Sequence, residues 1–418
     1  MPAAREVQPP PAPREDNDDR RIARRRTIEG NNLESVHRHN LSIVLRTVHH
    51  SGGITRASLT HESGLNRSTI AALVGELAEM GLVEEVKPDR HSRPGRPSSV
   101  VRPTSETVAI AVNPEVDAVT VGVVGLNGIV YERIRYDVEA RPSAHEAAKI
   151  SGAIIQGLRT GLGSRARIAG IGVAVPGLVR AIDGVVRYAP HLGWTDEPVA
   201  RMLKAATGLP ATAGNDANLG AEAERLFGAG QCVNDMIYLN GGASGIGAGI
   251  VSDGHLLRGA HGFAGEIGHT RVRTTAHDGD ADIGTLESEV TQVALMHLLG
   301  LENADLDALE QALTVAPSTT TRREVERQLE VLGRVLAGAV NVLNPELVIL
   351  GGFLGTLYSG APGYLERIVK KEALAASTGN LRITKAKLGS DLLMVGAAEL
   401  AFASVLDDPA GWVASLDS

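Results

Sequence analysis

A single cysteine, Cys232, stands in a chain of 418 residues. An intramolecular disulfide and a multi-cysteine metal site are both excluded by that count. Aromatic residues make up only 3%, so a core has to be packed from Val, Leu, Ile and Ala. No run of 18 apolar residues occurs, which argues against a membrane span. The N-terminus holds Pro2, Pro9, Pro10, Pro11, Pro13 and charged groups where a signal peptide would place an apolar segment. A cytoplasmic chain without a membrane partner is expected.

Hydrophobic residues account for 43% and charged residues for 22%, the composition of a globular chain long enough for two or three domains. The 48 glycines follow no short period and mark tight turns rather than a fibre. The formal net charge of −8 hides an asymmetry. Residues 20–100 carry 13 Lys+Arg against 8 Asp+Glu, whereas residues 101–418 carry 26 against 36. A basic front on an acidic body suits a protein that presents one part to nucleic acid.

Residues 1–35 read as a disordered, charged arm, too poor in apolar groups to offset the entropy of ordering. Its Arg20–Arg26 stretch is either a solvated tail or an arm that touches phosphates. Residues 36–102 form a compact unit. Leu41, Val44, Leu45 and Val48 have amphipathic helical spacing. Thr55 is placed to cap a short helix over Arg56–Ser63, Gly64 to turn the chain, and a third helix to begin near Asn66, with Gly81 as its stop. Val83–Val86 and Ser99–Val101 read as two short strands around Asp89–Pro97. From Val108 onward strands alternate with helices. Val108–Val112, Ala118–Val124 and Ile129–Tyr136 suggest a meander turning at Asn127-Gly128, and Ala144–Gly161 a helix. Ile168–Val175, Met236–Leu239 and Val348–Leu350 read as strands, and Arg322–Leu343 as a long helix. The pattern is α/β.

Three helices with a glycine turn before the third, followed by a basic two-stranded wing, describe a winged helix-turn-helix. Residues at the start of its third helix reach base edges in the major groove. Here they are Asn66, Arg67, Ser68 and Thr69, with Thr55 and Arg56 close by at the preceding helix. Asn pairs with adenine and Arg with guanine, while Ser and Thr suit bases or phosphates. The wing tip holds Arg93, Gly95 and Arg96 between prolines, a narrow cationic loop fit for a minor groove. An interdomain linker at 92–97, or a helical triplet that binds protein instead of DNA, is the plainer alternative.

Four stretches identify the remainder. They are Ile171–Gly177 (IGVAVPG), Ala189–Trp194 (APHLGW), Gly214–Asn218 (GNDAN) and Gly265–His269 (GEIGH), supported by Asn344-Pro345, Gly351-Gly352 and Gly396–Ala398. With them the chain resembles the ROK family of repressors, open reading frames and sugar kinases, in its regulator branch. The resemblance implies a two-lobed, actin-like fold over residues 103–418 with a ligand cleft near 215–290. By family pattern Asn215, Asp216, Glu266, His269 and Glu287 bind sugar hydroxyls. Carboxylates accept from hydroxyls, and Asn and His both donate and accept, so the chemistry agrees. Taken singly, Asn215-Asp216 also suits a turn or helix cap, and Glu266 with His269 a surface loop.

Two departures narrow the function. Family kinases carry an Asp-x-Gly-Gly-Thr loop after the first strand to cradle phosphates, but here the text is Val112-Asn113-Pro114-Glu115-Val116-Asp117. The glycines and the threonine are missing, Pro114 lacks an N–H, and Glu115 adds negative charge. Asp216 is then a vestige of the kinase base, and no catalytic residue is assigned. Many members also bind zinc through a Cys-x-Cys-Gly-x-x-Gly-Cys segment, and residues 269–287 contain no cysteine. His277, Asp278, Asp280 and Asp282 read more simply as a solvated acidic loop than as a substitute metal site. No metal and no cofactor is expected, and the placement of Glu287 loses its metal support. The reading is a repressor of carbohydrate metabolism. It binds duplex operator DNA as a homodimer or homotetramer and answers to a sugar or sugar phosphate. The rivals are an ATP-dependent sugar kinase carrying a DNA-binding domain, and a repressor governed by a protein partner.

Overall fold

The computed structural model describes residues 33–86, 99–163, 165–242, 245–275, 281–301, 306–315 and 317–416. Helix α1 (Leu33–Ser51) buries Leu41, Val44, Leu45 and Val48 on one face. It starts inside the segment assigned above to a disordered arm, which extended to residue 35. Glu34 explains the early start: it lies in the first turn and pairs with Arg38 at i,i+4, both helix-stabilising placements. Strand β1 (Ile54–Thr55) leads into α2 (Arg56–Ser63) and α3 (Arg67–Glu79), and β2 (Val83–Val86) and β3 (Val100–Pro103) follow. The two strands expected in this unit are present and a third joins them, giving the order β1-β3-β2, because Ile54 and Thr55 pair with Val101 and Val100. Those β-branched residues favour a pleated surface over helix.

The body is built twice on one plan. Its first sheet takes β4 (Thr107–Pro114), β5 (Ala118–Gly125), β6 (Val130–Asp137) and β7 (Arg167–Val175), with α4 (Ala144–Gly161) between the last two. A three-stranded patch of β8 (Leu178–Val179), β9 (Val186–Ala189) and β10 (Trp194–Glu197) precedes α5 (Val199–Thr207), β11 (Ala211–Asn215) and α6 (Asp216–Phe227). The second half has β12 (Met236–Gly242), β13 (Gly245–Ser252), β14 (His255–Leu256) and the hairpin β15 (Arg271–Thr275)–β16 (Ala281–Thr285). Helices α7 (Leu286–Glu289), α8 (Gln292–Leu299), α9 (Leu306–Thr314) and α10 (Thr319–Leu343) follow. The chain closes with β17 (Leu347–Gly352), α11 (Phe353–Ser359), α12 (Tyr364–Glu372), α13 (Ala375–Thr378), β18 (Arg382–Lys385), α14 (Leu392–Asp407) and α15 (Pro409–Ala414).

The two large sheets have the orders β11-β7-β4-β5-β6 and β14-β13-β12-β17-β18. In each, the first strand in sequence pairs antiparallel with the second and parallel with the fourth, and the fifth adds in parallel at the edge. Two sheets of identical order and direction make a two-lobed, actin-like body. Ligands of such sheets bind beyond the carboxyl ends of the parallel strands.

Helix α14 joins the parts. It packs on β4, β7 and α6 on the body side, and on α1 on the other. At Gly172 of β7 an added Cβ would lie 1.7 Å from the Ala397 carbonyl oxygen, so only glycine admits the helix there. The segment Gly389–Asp407 is long and apolar enough to cross a bilayer, but more than half of it is buried in this packing, as in a core helix. One apolar cluster therefore runs from Leu45, Leu73 and Val101 to Val124, Phe402 and Trp412. Polar contacts bind the same seam. The Ser42 hydroxyl donates to the Leu406 carbonyl at 2.6 Å, and Arg167 donates to the Met80 carbonyl at 2.7 Å while lying over Trp412. Buried His49 meets Glu399 at 2.5 Å. Burial alone would raise the Glu399 carboxyl, but His49 and then His50 outweigh it and hold it below the ordinary range.

Leu45→Ala removes a fully buried side chain from this shared cluster and is expected to cost about 2–5 kcal/mol. Hydrogen exchange should quicken in α14 as well as in α1–α3. Faster exchange confined to residues 33–103 would show that the N-terminal unit has a core of its own.

Candidate functional site

Strand β7 ends at Val175 and runs into Pro176-Gly177, and β11 beside it ends at Asn215. Asn215 does two things there. Its Oδ1 caps α6 by accepting from the Asn218 amide at 2.9 Å, and its Nδ2 donates to the Gly177 carbonyl at 3.0 Å. The cap foreseen as an alternative is thus present, and it fixes the next residue. Asp216 opens α6 with Oδ1 accepting from the Ala217 amide at 2.8 Å and from Asn215 Nδ2 at 3.2 Å. Burial pushes its carboxyl up to about 6, against the pull of the Ala217 amide and with the help of nearby Glu266.

The opposite wall comes from the second lobe. Glu266 precedes a single 3-10 turn, Ile267–His269, and His269 ends it. Its Gly268 lies so close to β13 that a Cβ would stand 1.9 Å from the Ile246 carbonyl oxygen. That approach is the physical content of the glycine in the GEIGH stretch. His269 Nδ1 lies 3.4 Å from Glu287 Oε1, and its Nε2 lies 3.9 Å from Glu266 Oε2. Burial raises the Glu266 carboxyl and Glu287 adds to it, while His269 opposes them. Glu287 Oε2 also accepts from the Ile246 amide at 3.4 Å.

Without cysteines, Glu287 is positioned by hydrogen bonds. The β15–β16 hairpin pairs Arg271 with Thr285, and the Leu286 amide donates to the Thr270 carbonyl at 2.9 Å. Thr285 and Ser288 then form a reciprocal cap on α7, at 3.3 and 2.9 Å, one residue to either side of Leu286-Glu287. His277, Asp278 and Asp280 lie outside the described residues, as does the side chain of Asp282.

All five residues expected to bind a ligand line one cavity of about 150 Å³ between the lobes. Three further lining residues carry polar groups that sequence reasoning did not assign: Tyr188, His191 and Asn240. His191 stood in the APHLGW stretch, whose polar side chain was the available signal. Asn240, whose side chain bonds Asp216 and accepts from Tyr238 at 3.2 Å, lies within β12 just before Gly241-Gly242, with nothing in the sequence to mark it.

The N-terminal unit places its described candidates at the starts of α2 and α3. Thr55 caps α2, accepting from the Ser58 amide at 3.1 Å, and Arg56 pairs with Glu85. Asn66, Arg67 and Ser68 are exposed at the start of α3, and Thr69 is half-buried. Asn66 Oδ1 accepts from the Thr69 amide at 2.9 Å and from the Ser68 hydroxyl at 2.7 Å. That cap occupies the acceptor a bidentate adenine contact would use. Arg93, Gly95 and Arg96 lie outside the described residues.

Residues 109–404 match the ROK family. The chain belongs to that family, in its transcriptional-regulator branch. It is 28% identical over 391 residues to the xylose repressor of Caldicellulosiruptor bescii, spanning 88% of this chain and 97% of that one. It is 26% identical over 372 residues to NagC, a DNA-binding transcriptional dual regulator of Escherichia coli K12, spanning 85% and 91%. Among solved structures, a ROK family transcriptional regulator homologous to the Escherichia coli MLC protein matches with a TM-score of 0.72 at 24% identity, over 91% of this chain and 98% of that one. A ROK hexokinase from Thermus thermophilus matches with a TM-score of 0.56 at 27% identity, over 72% and 99%.

Asp216→Asn tests the electrostatics of the cleft. A carboxyl whose folded-state pKa is raised favours the fold below its unfolded value, and that contribution is lost as pH rises through about 6. At pH 7–8 the amide variant should therefore be the more stable by about 1–3 kcal/mol, and the gain should fade as pH drops through 6 towards 4. Denaturant melts at several pH values read this directly, and a pH-independent difference contradicts the assignment.

Proposed function

We propose a division of labour within a sugar-responsive transcriptional repressor. Residues 36–102 grip a duplex, with Arg67 and Ser68 at the major groove and the segment around Arg93–Arg96 at the minor groove. Residues 103–418 bind the effector in the cleft between the lobes. The observation that carries this reading is the convergence of Asn215, Asp216, Glu266, His269 and Glu287 on one cavity, in a chain whose α3 start is exposed.

The effector is a neutral sugar rather than a sugar phosphate. Three carboxylates face the cavity, and among the described residues lining it there is no Lys or Arg. A phosphate dianion would meet repulsion there, whereas hydroxyls find acceptors in the carboxylates and both donors and acceptors in Asn215, Asn240 and His269. A site built on hydroxyl bonds rejects analogues lacking them, since its polar groups would stay unpaired. The xylose repressor among its relatives makes xylose the first sugar to test.

The cleft senses without catalysing. Where family kinases carry the phosphate loop, β4 and β5 join in a tight turn with the Glu115 amide bonded to the Ala118 carbonyl at 2.7 Å. Glu115 accepts from Asn113, Thr120 and Arg135, and Arg135 also bridges Asp117 and Asp137. A turn closed on its own ion pairs offers few free N–H groups to a triphosphate. The repressor works in the cytoplasm as a symmetric homodimer or homotetramer, whose paired α3 helices fit a palindromic operator. Helix α6 is one path of coupling. It carries Asp216 at one end and Phe227, 5.4 Å from the His49 ring of α1, at the other. Closure of the lobes on a sugar would then shift the seat of the DNA-reading unit.

Calorimetry with neutral pentoses, hexoses and their phosphates tests the effector, and the neutral compounds should bind while the phosphates do not. Absence of heat from every sugar would favour control by a protein partner. A coupled assay with ATP and hexoses should show no turnover, and turnover abolished by Asp216→Asn would make the chain a kinase. Arg67→Ala should weaken specific DNA binding by about 1–3 kcal/mol and relax base preference. Unchanged operator affinity would remove Arg67 from the interface.

A further inference from the structure

Away from the cleft, three groups that bind metals converge at the seam between α1 and α14. They are the adjacent imidazoles of His49 and His50 and the carboxylate of Glu399, with one donor atom from each lying within 4.8 Å of the others. The His49 side chain is wholly buried and that of Glu399 is 10% exposed. Phe227 and Phe402 stand edge-on to the His49 ring at 5.4 and 5.7 Å, so the surroundings are apolar.

The hydrogen bonding of the cluster is incomplete. His49 Nδ1 bonds the Leu126 carbonyl, which fixes that nitrogen as the N–H donor and turns Nε2 toward Glu399. In the neutral ring Nε2 would then face a carboxylate oxygen 2.5 Å away, lone pair to lone pair, so the two atoms have to share a cation: a proton at this separation, or a metal ion once they part to about 3 Å. A proton is one candidate, and it satisfies that pair alone. It leaves His50 Nε2, which is buried without a hydrogen-bond partner and lies 3.8 Å from the second Glu399 oxygen. Arg46, the nearest guanidinium on α1, is committed to Asp407. A buried polar atom with no partner is costly, and one divalent ion would serve both imidazoles and the carboxylate together.

We propose that His49, His50 and Glu399 form a binding site for a zinc-class divalent transition-metal ion that clamps the DNA-reading unit to the body. Two imidazole nitrogens and a carboxylate are a ligand set for such an ion, with water in the fourth position. The bond from His49 Nδ1 to a backbone carbonyl is the outer contact that orients metal-bound histidines. The expectation of no metal rested on absent sulfur ligands, and these three ligands need none. Two come from α1 and one from α14, so binding would oppose separation of the two parts.

The test uses the full chain, produced without a histidine tag, stripped with chelator and titrated with Co²⁺. One equivalent should develop the visible absorption of low-coordinate Co²⁺, and Zn²⁺ should displace it and raise the unfolding temperature. His50→Gln lies at a partly exposed helix end and should fold, as circular dichroism will confirm. It should weaken both ions by about tenfold or more, since loss of even an outer-shell partner costs about 10–100-fold. Glu399→Gln should abolish binding, and if it fails to fold, His50→Gln decides alone. No visible absorption in the parent chain would overturn the proposal and leave a shared proton on the His49–Glu399 pair. Equal absorption in parent and variants would also overturn it, by placing the ion elsewhere.

Discussion

The structure depends on where α14 can lie. It needs the bare backbone of β7 at Gly172 to approach closely enough, and once seated it serves two masters. One side completes the core of the first lobe through Ala397, Ala398 and Phe402. The same cluster reaches Leu45 and Val48 of α1. The N-terminal unit therefore does not hang from a linker. It shares apolar burial with the body, and burial is the dominant favourable term in folding. Buried polar groups along the seam then restrict how the parts can sit, because Ser42, His49 and Arg167 each need a partner supplied by one geometry.

That seating relates the cleft to the DNA-reading unit in physical terms. Helix α6 packs against α14 and touches α1, and its 12 residues span about 18 Å. Its first residue is Asp216, at the cavity, and its last is Phe227, at the histidine pair. A packed helix transmits displacement better than a loop does, because close-packed interiors hold few voids to absorb it. Asp216 of the candidate site and Phe227 at the seam are consequently two ends of one packed helix.

Much of this was legible in the sequence, for identifiable reasons. The helical spacing at Leu41–Val48, the cap at Thr55, the helix start near Asn66, and the strand core at Ile168–Val175 each rest on local chemistry and appear where that chemistry puts them. The motif glycines pointed to the cleft because Gly268 can exist there only without a side chain. Other features were not legible. Strand β1 needed Val100 and Val101 across the sheet, a pairing about 45 residues away that no local pattern announces. Asn240 became a cleft residue only through its bond to Asp216, and the Glu399 contacts depend on residues 350 positions apart. Sequence patterns report neighbours along the chain, and these sites are made by neighbours in space.

On the proposed function, the two lobes differ from a kinase built on the same plan in identifiable ways. Phosphoryl transfer needs free backbone donors and positive charge around the transferred group. In the β4–β5 turn those requirements are inverted: Pro114 removes a donor, and Glu115 and Asp117 bring negative charge that Arg135 neutralises within the fold. The half of the cleft proposed to bind hydroxyls keeps Asn215, Asp216, Glu266, His269 and Glu287 on one cavity, as recognition alone would require. Asp216 illustrates the consequence. In a working kinase a carboxylate at this place has to accept a proton at the moment of transfer, so a carboxyl pushed up to about 6 would be useful chemistry. In a sensor the same burial stores unfavourable energy that a hydroxyl donor can relieve. On the proposed function, ligand binding would gain from an electrostatic cost already present in the cleft, and the carboxylate would have a role without taking a proton from a reacting hydroxyl.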